Sequence, residues 1–484
     1  MENQKSAPFY EALQDYVQKK ITPFHTPGHR GAKSLGNEWR LSEKLLSLDI
    51  TEISGLDWEQ SLEAAQRLAA EFYQADRSFF LVQGATQGIV AALLGCFSPD
   101  ERILVARNCH ISVINGIILA GLNPVFIDLD WVLEWEIPVG LKLGSLRKAV
   151  EQYPDFKGLV VTNPTYQGIA CSLKGYREII GDRLLIVDEA HGGHFDWCGL
   201  TGFNAFEDAD LWVQGTHKLC GSLTQTGMLH LNLKRLNHRR LSESLSLITT
   251  TSQSFILLAS LDVNRCFLAN EGRRFFREKL PLIETVKGNL AQLKGIKLLS
   301  EEVISRDKVI DPWKISISFL NLGLTGYEAD RILRQDYQIQ PEYADLHQVT
   351  FFIAPWQEEA DLEKLERAIG NIANTYQCFE SSNIQNKFNI SYSAPPLIIK
   401  PHDAVFGTTR YIRLEEAVGR VAAGVLAPYP PGIPLIVPGE VIGTGEVNYI
   451  DKILNHGGTV RGMNPRREIL ICCNEGMDEK GIFY

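Results

Sequence analysis

Cysteine is sparse and scattered in this sequence. Its 484 residues include nine cysteines, and no two of them form a CxxC pair. An odd count with irregular spacing argues against a disulfide framework and against a thiolate zinc site. An excess of positive charge is also lacking, since 48 lysines and arginines face 58 aspartates and glutamates, a net charge of −10. A chain of that sign has no overall attraction to phosphate polymers, so nucleic acid is not expected as a main partner.

Long apolar runs are missing as well. No apolar stretch approaches the length that crosses a bilayer, and residues 1–14 lack a basic segment followed by an apolar one. We therefore expect no membrane partner and a reducing, cytoplasmic location. With 45% hydrophobic and 22% charged residues, the composition is that of an ordinary globular chain, long enough for about two to four domains.

What the sequence does contain is an alternation of helix-like and strand-like segments over residues 60–230. Two continuous apolar runs, Gly158–Thr162 and Leu184–Asp188, end in polar residues. Such runs are typical of strands buried on both faces of a parallel sheet, and ligands bind such sheets at the carboxyl ends of the strands. The pattern predicts an α/β large domain with a mostly parallel sheet.

Two further regions follow. After Phe255 a long helix and an alternating strand, 314–320 (KISISFL), indicate a smaller α+β domain. From Ser391 the chain is rich in proline and glycine, and 427–440 (APYPPGIPLIVPGE) is predicted to be mostly extended loop. We predict an N-terminal arm and linker at 1–60, a large domain at 61–300, the small domain at 301–385 and a C-terminal domain at 386–484.

The strongest chemical signal joins an acid and a lysine. Asp188 ends a buried strand, and about thirty residues later a short apolar strand (LWVQ) leads to His217 and Lys218. This order is expected of an enzyme that uses pyridoxal 5′-phosphate (PLP), in which a lysine forms a Schiff base with the cofactor and an aspartate keeps the pyridine nitrogen protonated.

Each of these residues also has an ordinary interpretation. An isolated aspartate after a strand is commonly a helix cap, and most lysines are surface residues. His191 and His194 could be taken for metal ligands, but a third candidate is missing from their neighbourhood. Only the combination of Asp188 and Lys218 in this order favours the cofactor, and no metal site is predicted.

Two upstream turns fit the same site. Ala85 and Thr86 follow Gly84 at the point where a strand passes into a helix, where backbone N–H groups and the helix dipole favour a phosphate. His110 follows another strand, RILVA, and is placed to stack on the cofactor ring. Either turn alone would be an ordinary connection.

Together the segments resemble the bacterial ornithine/lysine/arginine decarboxylases, PLP enzymes of the aspartate-aminotransferase fold type, in the short form without a wing domain. The resemblance covers nearly the whole chain. The segments that carry it are 25–31 (HTPGHRG), 49–57 (DITEISGLD), 79–88, 163–168 (NPTYQG), 187–195 (VDEAHGGHF), 216–230 (THKLCGSLTQTGMLH) and 414–440.

The resemblance implies a role for each matching residue. Lys218 is the Schiff-base lysine, His217 contacts the substrate carboxylate or passes a proton, and Asp188 pairs with the pyridine nitrogen. The other cofactor-binding residues would be Ala85, Thr86, His110, Thr165, His191 and, reaching the neighbouring subunit's phosphate from segment 250–252, Ser252. The active site would then be shared within a homodimer or a higher homo-oligomer.

The chain also departs from the family pattern. Gly215 stands where the family usually has a serine that touches the phosphate, and Arg30 replaces the lysine of HTPGHK. The expected reaction is decarboxylation of a basic L-amino acid, with arginine favoured and lysine or ornithine possible alternatives. The other interpretations are a PLP-dependent aminotransferase and a non-catalytic, decarboxylase-like binding protein. Glu415, Glu416 and Glu440 are candidates to meet the distal cation of the substrate.

Overall fold

The structure is a computed structural model that describes residues 19–20, 22–24, 58–305, 307–376, 394–430 and 432–473. The motif at 25–31, the segment at 49–57 and most of the predicted N-terminal arm lie outside the described residues. Among the described residues there is no helix that combines the length and the apolarity needed to cross a membrane.

A seven-stranded sheet forms the centre of the large domain. Its strands, in spatial order, are Arg77–Leu81, Gly227–Leu231, Leu211–Gln214, Leu184–Asp188, Gly158–Thr162, Arg102–Ala106 and Asn123–Ile127. All of them run in one direction except Gly227–Leu231, which is antiparallel to both neighbours. The predicted α/β architecture with a mostly parallel sheet is confirmed.

The strands read as continuous apolar runs because both faces of the sheet are covered. Alternate residues point to opposite faces of a strand, so Ile103 and Val105 enter one core while Leu104 and Ala106 enter the other. The helices on the first face are Gly84–Cys96, Ile111–Ala120 and His238–Ile248, and those on the second are Leu143–Gln152 and Lys174–Ile180.

A four-stranded antiparallel sheet forms the predicted smaller α+β unit. Its strands, in spatial order, are Lys297–Leu298, Lys314–Ser318, Val349–Phe352 and Tyr343–Ala344. The helices that share its hydrophobic core are Trp58–Phe72, Phe255–Phe267, Arg273–Ala291, Gly326–Asp336 and Glu359–Thr375, with the π-helical turn Leu268–Gly272 between the second and the third. The domain boundaries at 300 and 385 stay predictions.

The described part of the C-terminal region has its own small core, built around Leu414, Ile442, Ile450 and Ile471. Its helices are Pro401–Phe406 and Thr444–Asn455, and its strand pairs are Thr409–Arg413 with Glu468–Cys472 and Ala427–Pro428 with Val460–Arg461. Apart from the strand Ala427–Pro428, residues 427–440 form only turns, loops and isolated bridges in their described positions, as their prolines predict.

The remaining short elements connect these units. The other strand pairs are Thr22–Phe24 with Ile339–Pro341, Leu129–Val132 with Ile137–Leu141, and Ile169–Cys171 with Lys308–Ile310. The 3₁₀ turns are Glu301–Val303, Leu320–Leu322 and Leu414–Glu416.

Candidate active site

A cavity of about 290 Å³ opens at the carboxyl ends of the parallel strands. Thr162 and Asp188 end two neighbouring strands, and Lys218 follows the next strand, Leu211–Gln214. We call this space the lysine cavity. Its lining includes these predicted site residues: Ala85, Thr86, His110, Thr165, Asp188, His191, His217 and Lys218.

The amino group of Lys218 is in direct contact with a histidine. Its Nζ lies 2.5 Å from Nε2 of His191. Burial lowers the pKa of Lys218 to about 8, against the opposing effect of the nearby carboxylates of Asp188 and Glu342. Burial, and then the positive charge of Lys218, hold the pKa of His191 well below its usual range. His191 is therefore neutral and accepts a hydrogen bond from the lysine.

Asp188 supplies the negative charge of the cavity. It is 4% exposed, and its Oδ1 accepts a hydrogen bond from the backbone N–H of Ala190 at 3.1 Å. Burial lowers the pKa values of Lys218 and His110, and the charge of Asp188 opposes this effect at both groups. A buried carboxylate at a strand end can hold a positive charge in place above the sheet.

The helix Gly84–Cys96 presents its N-terminus to the cavity. Gly84 has a φ of +73°, and the preceding Gln83 makes no side-chain cap. Ala85 and Thr86 in the first turn line the cavity. First-turn N–H groups and the helix dipole make such an end suitable for an anion.

A ring nitrogen of His110 and one of His217 each have a hydrogen-bond partner. Nδ1 of His110 accepts a hydrogen bond from the backbone N–H of Ser112 at 3.2 Å, so His110 caps the helix Ile111–Ala120. Burial lowers the pKa of His110. Nδ1 of His217 lies 2.7 Å from the carbonyl oxygen of Thr226, which can only accept, so this nitrogen carries a proton.

The small sheet contributes residues that the sequence analysis missed. Glu342 lines the lysine cavity, and its Oε1 accepts a hydrogen bond from the hydroxyl of Tyr166 at 2.6 Å. Lys314, which is 2% exposed, donates to the carbonyl oxygen of Tyr166 at 3.0 Å. Burial lowers the pKa of Lys314 to about 7. Tyr166 lies within the quoted motif NPTYQG, whereas no local pattern marks Glu342 or Lys314.

The remaining predicted residues lie elsewhere. Ser252 is exposed, in the connection between the helices His238–Ile248 and Phe255–Phe267, and does not line the lysine cavity. Its predicted role at a neighbouring subunit stays a prediction. Glu415 and Glu416 are exposed in a 3₁₀ turn.

Glu440, the third candidate for the distal cation, is fully buried. Its Oε2 accepts hydrogen bonds from Arg107 at 3.0 Å and from the backbone N–H of Val437 at 2.8 Å. Burial raises its pKa to about 7, against the opposing charge of Arg107. Glu440 thus holds the C-terminal region against the large domain and does not line the lysine cavity.

His194, one of the two histidines considered as metal ligands, has a carboxylate as its partner. Nε2 of His194 lies 3.0 Å from the buried carboxylate of Asp311. Within the described ranges there is no group of three or more His, Cys, Asp or Glu side chains arranged to hold one metal ion.

Comparison with known proteins identifies the family of the chain. The profile of the Orn/Lys/Arg decarboxylase major domain matches residues 7–361, and that of the C-terminal domain of the same family matches residues 385–465. The arginine decarboxylase of Bacillus subtilis is 35% identical, over 95% of this chain and 96% of its own length. The arginine decarboxylase of Halalkalibacterium halodurans is 34% identical, over 96% of each chain.

Solved structures share the fold. The constitutive lysine decarboxylase of Escherichia coli superposes with a TM-score of 0.75 at 18% identity, covering 97% of this chain and 82% of that one. The L-threonine transaldolase of Pseudomonas fluorescens superposes with a TM-score of 0.55, covering 79% of this chain. The profile matches and the full-length relatives confirm the predicted resemblance: this chain belongs to the Orn/Lys/Arg decarboxylase family.

Proposed function

We propose that this chain is a PLP-dependent decarboxylase that converts L-arginine to carbon dioxide and agmatine. The observation that carries the proposal is the contact between Lys218 and neutral His191 in a buried cavity that also holds Asp188. A lysine of lowered pKa, a buried carboxylate and an open helix N-terminus are the three groups that a pyridine aldehyde phosphate requires.

The polar atoms of the cavity support binding of this cofactor. Nδ1 of His191 and the hydroxyl of Thr162 are buried and have no hydrogen-bond partner among the described residues. Buried polar groups are normally satisfied, so unpaired atoms in a cavity wall favour a bound polar molecule. Ala85 and Thr86 would hold the phosphate, Asp188 the ring nitrogen, His110 and Thr165 the ring and its substituents, and Lys218 the aldehyde carbon.

When bound, PLP supplies the electron sink that accepts the electron pair of the broken bond between Cα and the carboxylate. Lys218 contributes an amino group whose lowered pKa leaves part of it neutral and nucleophilic near neutral pH. Asp188 holds the positive charge that makes the sink effective.

Two histidines would handle protons. His191 accepts from Lys218 and can take up a proton when the lysine changes partner. Because Nδ1 of His217 is held by the carbonyl of Thr226, Nε2 is the ring nitrogen that would contact the substrate carboxylate or deliver a proton to Cα.

Arginine is proposed as the substrate because relatives at 33–35% identity over almost the whole chain are named arginine decarboxylase. Decarboxylation is favoured over transamination by the cavity wall. No arginine is found among the described residues that line the lysine cavity. A transaminase needs such a cation to hold the α-carboxylate during proton removal from Cα.

The test is product analysis with the purified protein and PLP. L-arginine, L-lysine, L-ornithine and L-glutamate are each supplied with and without 2-oxoglutarate, and carbon dioxide and amines are measured. We expect carbon dioxide and agmatine from L-arginine without any 2-oxo acid. Formation of glutamate and a 2-oxo acid without carbon dioxide would establish an aminotransferase. Putrescine as the main amine would identify L-ornithine as the substrate, and cadaverine would identify L-lysine.

A further inference from the structure

A second cavity of about 170 Å³ adjoins the lysine cavity. The two share Asn108 and Ile433 in their walls, so they are adjacent. We call the second space the side chamber. It lies where the large domain, the small sheet and the C-terminal region meet, as Trp131, Tyr327 and Tyr449 in its lining illustrate.

From the chamber's contacts we infer that it receives the guanidinium group of the substrate and selects for it, with Glu136 as the charge partner and Asn108 and Gln167 as neutral acceptors. The inference rests on the proposed function, because it takes the amino acid to be anchored at Lys218. The tail of the substrate would pass between Asn108 and Ile433.

Among the charged lining residues we choose Glu136, which also has an ionic partner, His347, but makes that contact through its Oε2. Arg107 is already paired with Glu440 at 3.0 Å. Asp345 accepts from the hydroxyl of Tyr343 at 2.7 Å and from the backbone N–H groups of His347 and Gln348 at 2.7 and 2.9 Å, so its carboxylate is saturated.

Glu446, the third acid, lies in the first turn of the helix Thr444–Asn455. Its Oε2 lies so close to Gly443 that a Cβ added to this glycine would meet it at 2.4 Å. Gly443 is the N-cap of the helix Thr444–Asn455, where a carboxylate is favourable to the helix dipole.

Glu136 is held in the chamber by an unusual backbone. It has a φ of +50° at the end of the turn between the strands Leu129–Val132 and Ile137–Leu141. A non-glycine residue in this conformation is costly, and such residues concentrate at binding sites. The side chain is 6% exposed and lies 3.0 Å from Nε2 of His347. Burial alone would lower the pKa of His347, but the hydrogen bond to Glu136 raises it overall.

The hydrogen bonds also fix which way Gln167 points. The hydroxyl of Tyr343 donates its proton to the carboxylate of Asp345, so its oxygen accepts from the amide of Gln167, at 2.8 Å. Gln167 therefore turns its NH₂ to Tyr343, which leaves its buried Oε1 without a partner within the described part of the chain. Oδ1 of Asn108 is likewise buried and has no hydrogen-bond partner among the described residues.

This set of acceptors matches a guanidinium better than an ammonium. One carboxylate and two unpaired amide oxygens surround a space with aromatic walls. A guanidinium has five N–H donors in one plane and stacks on aromatic rings, whereas an ammonium is compact and strongly hydrated.

The test compares Glu136→Gln with Glu134→Gln. Glu134 lies in the same turn and pairs with Lys297, outside the side chamber, so it is a matched control. The readout is the ratio of kcat/KM for L-arginine to that for L-citrulline, whose uncharged tail has the same shape. We expect this ratio to fall about tenfold to a hundredfold in Glu136→Gln, because the variant loses one charge-assisted hydrogen bond to the guanidinium. The ratio should stay unchanged in Glu134→Gln. An unchanged ratio in both variants would overturn the inference.

A binding measurement on the wild-type protein needs neither turnover nor a variant. Calorimetry with the PLP-loaded protein compares agmatine with N-carbamoylputrescine, its uncharged analogue of equal length. We expect agmatine to bind about tenfold tighter or more, and equal affinities would overturn the inference. Agmatine could bind more weakly to Glu136→Gln than to the wild-type protein while L-arginine released no carbon dioxide. That result would refute the proposed function but support the role of the side chamber.

Discussion

The amino nitrogen of Lys218 and Nε2 of His191 lie 2.5 Å apart in a buried cavity, and Asp188 is the nearby acid that acts on both the lysine and His110. A protonated lysine donates to the neutral histidine, so the pair holds one proton between two bases. This arrangement makes the lysine available as a nucleophile once that proton leaves.

Lys218→Ala should remove covalent attachment of the cofactor. Lys218 is the only lysine among the described residues that line the lysine cavity, so PLP would bind only noncovalently and nearly all turnover should be lost. The measurement is visible absorbance followed by borohydride reduction and mass analysis of the peptide that contains the modified residue. A variant that still carries a reducible covalent cofactor would contradict the role of Lys218.

Asp188→Asn should separate cofactor binding from catalysis. The amide keeps the shape of the side chain but not the charge that holds a proton on the pyridine nitrogen. We expect PLP to remain bound and kcat for L-arginine to fall by about a hundredfold or more. Steady-state kinetics at saturating cofactor measure this, and near-normal kcat would refute the assignment.

Cofactor attachment should depend on pH through Lys218. Below its pKa of about 8 the amino group is protonated and cannot attack, so the attachment rate should rise with pH and level off above about 8. Because Asp188 raises this pKa, the inflection should move to lower pH in Asp188→Asn. Stopped-flow absorbance after mixing apoprotein with PLP measures both profiles, and an inflection at the ordinary lysine value would count against the buried pair.

Gly215→Ser should destabilise the protein although it restores the residue usual in the family. A Cβ at this position would lie 2.9 Å from the carbonyl oxygen of Ala190 and 3.2 Å from Cε of Lys218. We expect the free energy of unfolding to fall by about 1–3 kcal/mol. Gly215→Ala is the matched control, since an equal loss there assigns the effect to the Cβ. Tighter PLP binding without loss of stability in Gly215→Ser would show that the local backbone adapts.

The predicted homodimer can be tested by mixing inactive variants. If Ser252 reaches the neighbouring subunit's phosphate, Ser252→Asp should be inactive through charge repulsion. Mixing it with Lys218→Ala should then restore about a quarter of wild-type activity, because half of the random dimers carry one intact site. A mixture of Lys218→Ala with Asp188→Asn should restore nothing, since both changes fall in one subunit's share of the site. Full activity of Ser252→Asp alone would remove this segment from the site.

Residues that follow local patterns could be predicted from the sequence. Leu184–Asp188 was predicted as a buried strand because both of its faces are covered, and the structure gives that strand the same limits. Asp188 and Lys218 were selected because an acid that ends a buried strand is followed, after one further strand, by a His-Lys pair. The two strands are parallel neighbours, so their carboxyl ends lie at the same edge of the sheet.

The acidic residues could not be assigned in this way. Glu440 was a candidate for the substrate's distal cation because it is acidic. Its actual partner, Arg107, lies 333 residues away in the chain, so no local pattern could reveal the pair. Glu136 and Glu342 enter the two cavities from a turn and from a connection between short strands, so no periodic pattern marks them. Their positions depend on how the large domain, the small sheet and the C-terminal region pack together.

Ile433, from the proline-rich C-terminal segment, forms part of the wall between the two cavities, whereas Lys218 and Asp188 belong to the central sheet region. Residues that lie far apart in the chain thus line the same cavity. If the side chamber receives the substrate tail as inferred above, a change at Ile433 would alter the fit of that tail without touching Lys218 or Asp188.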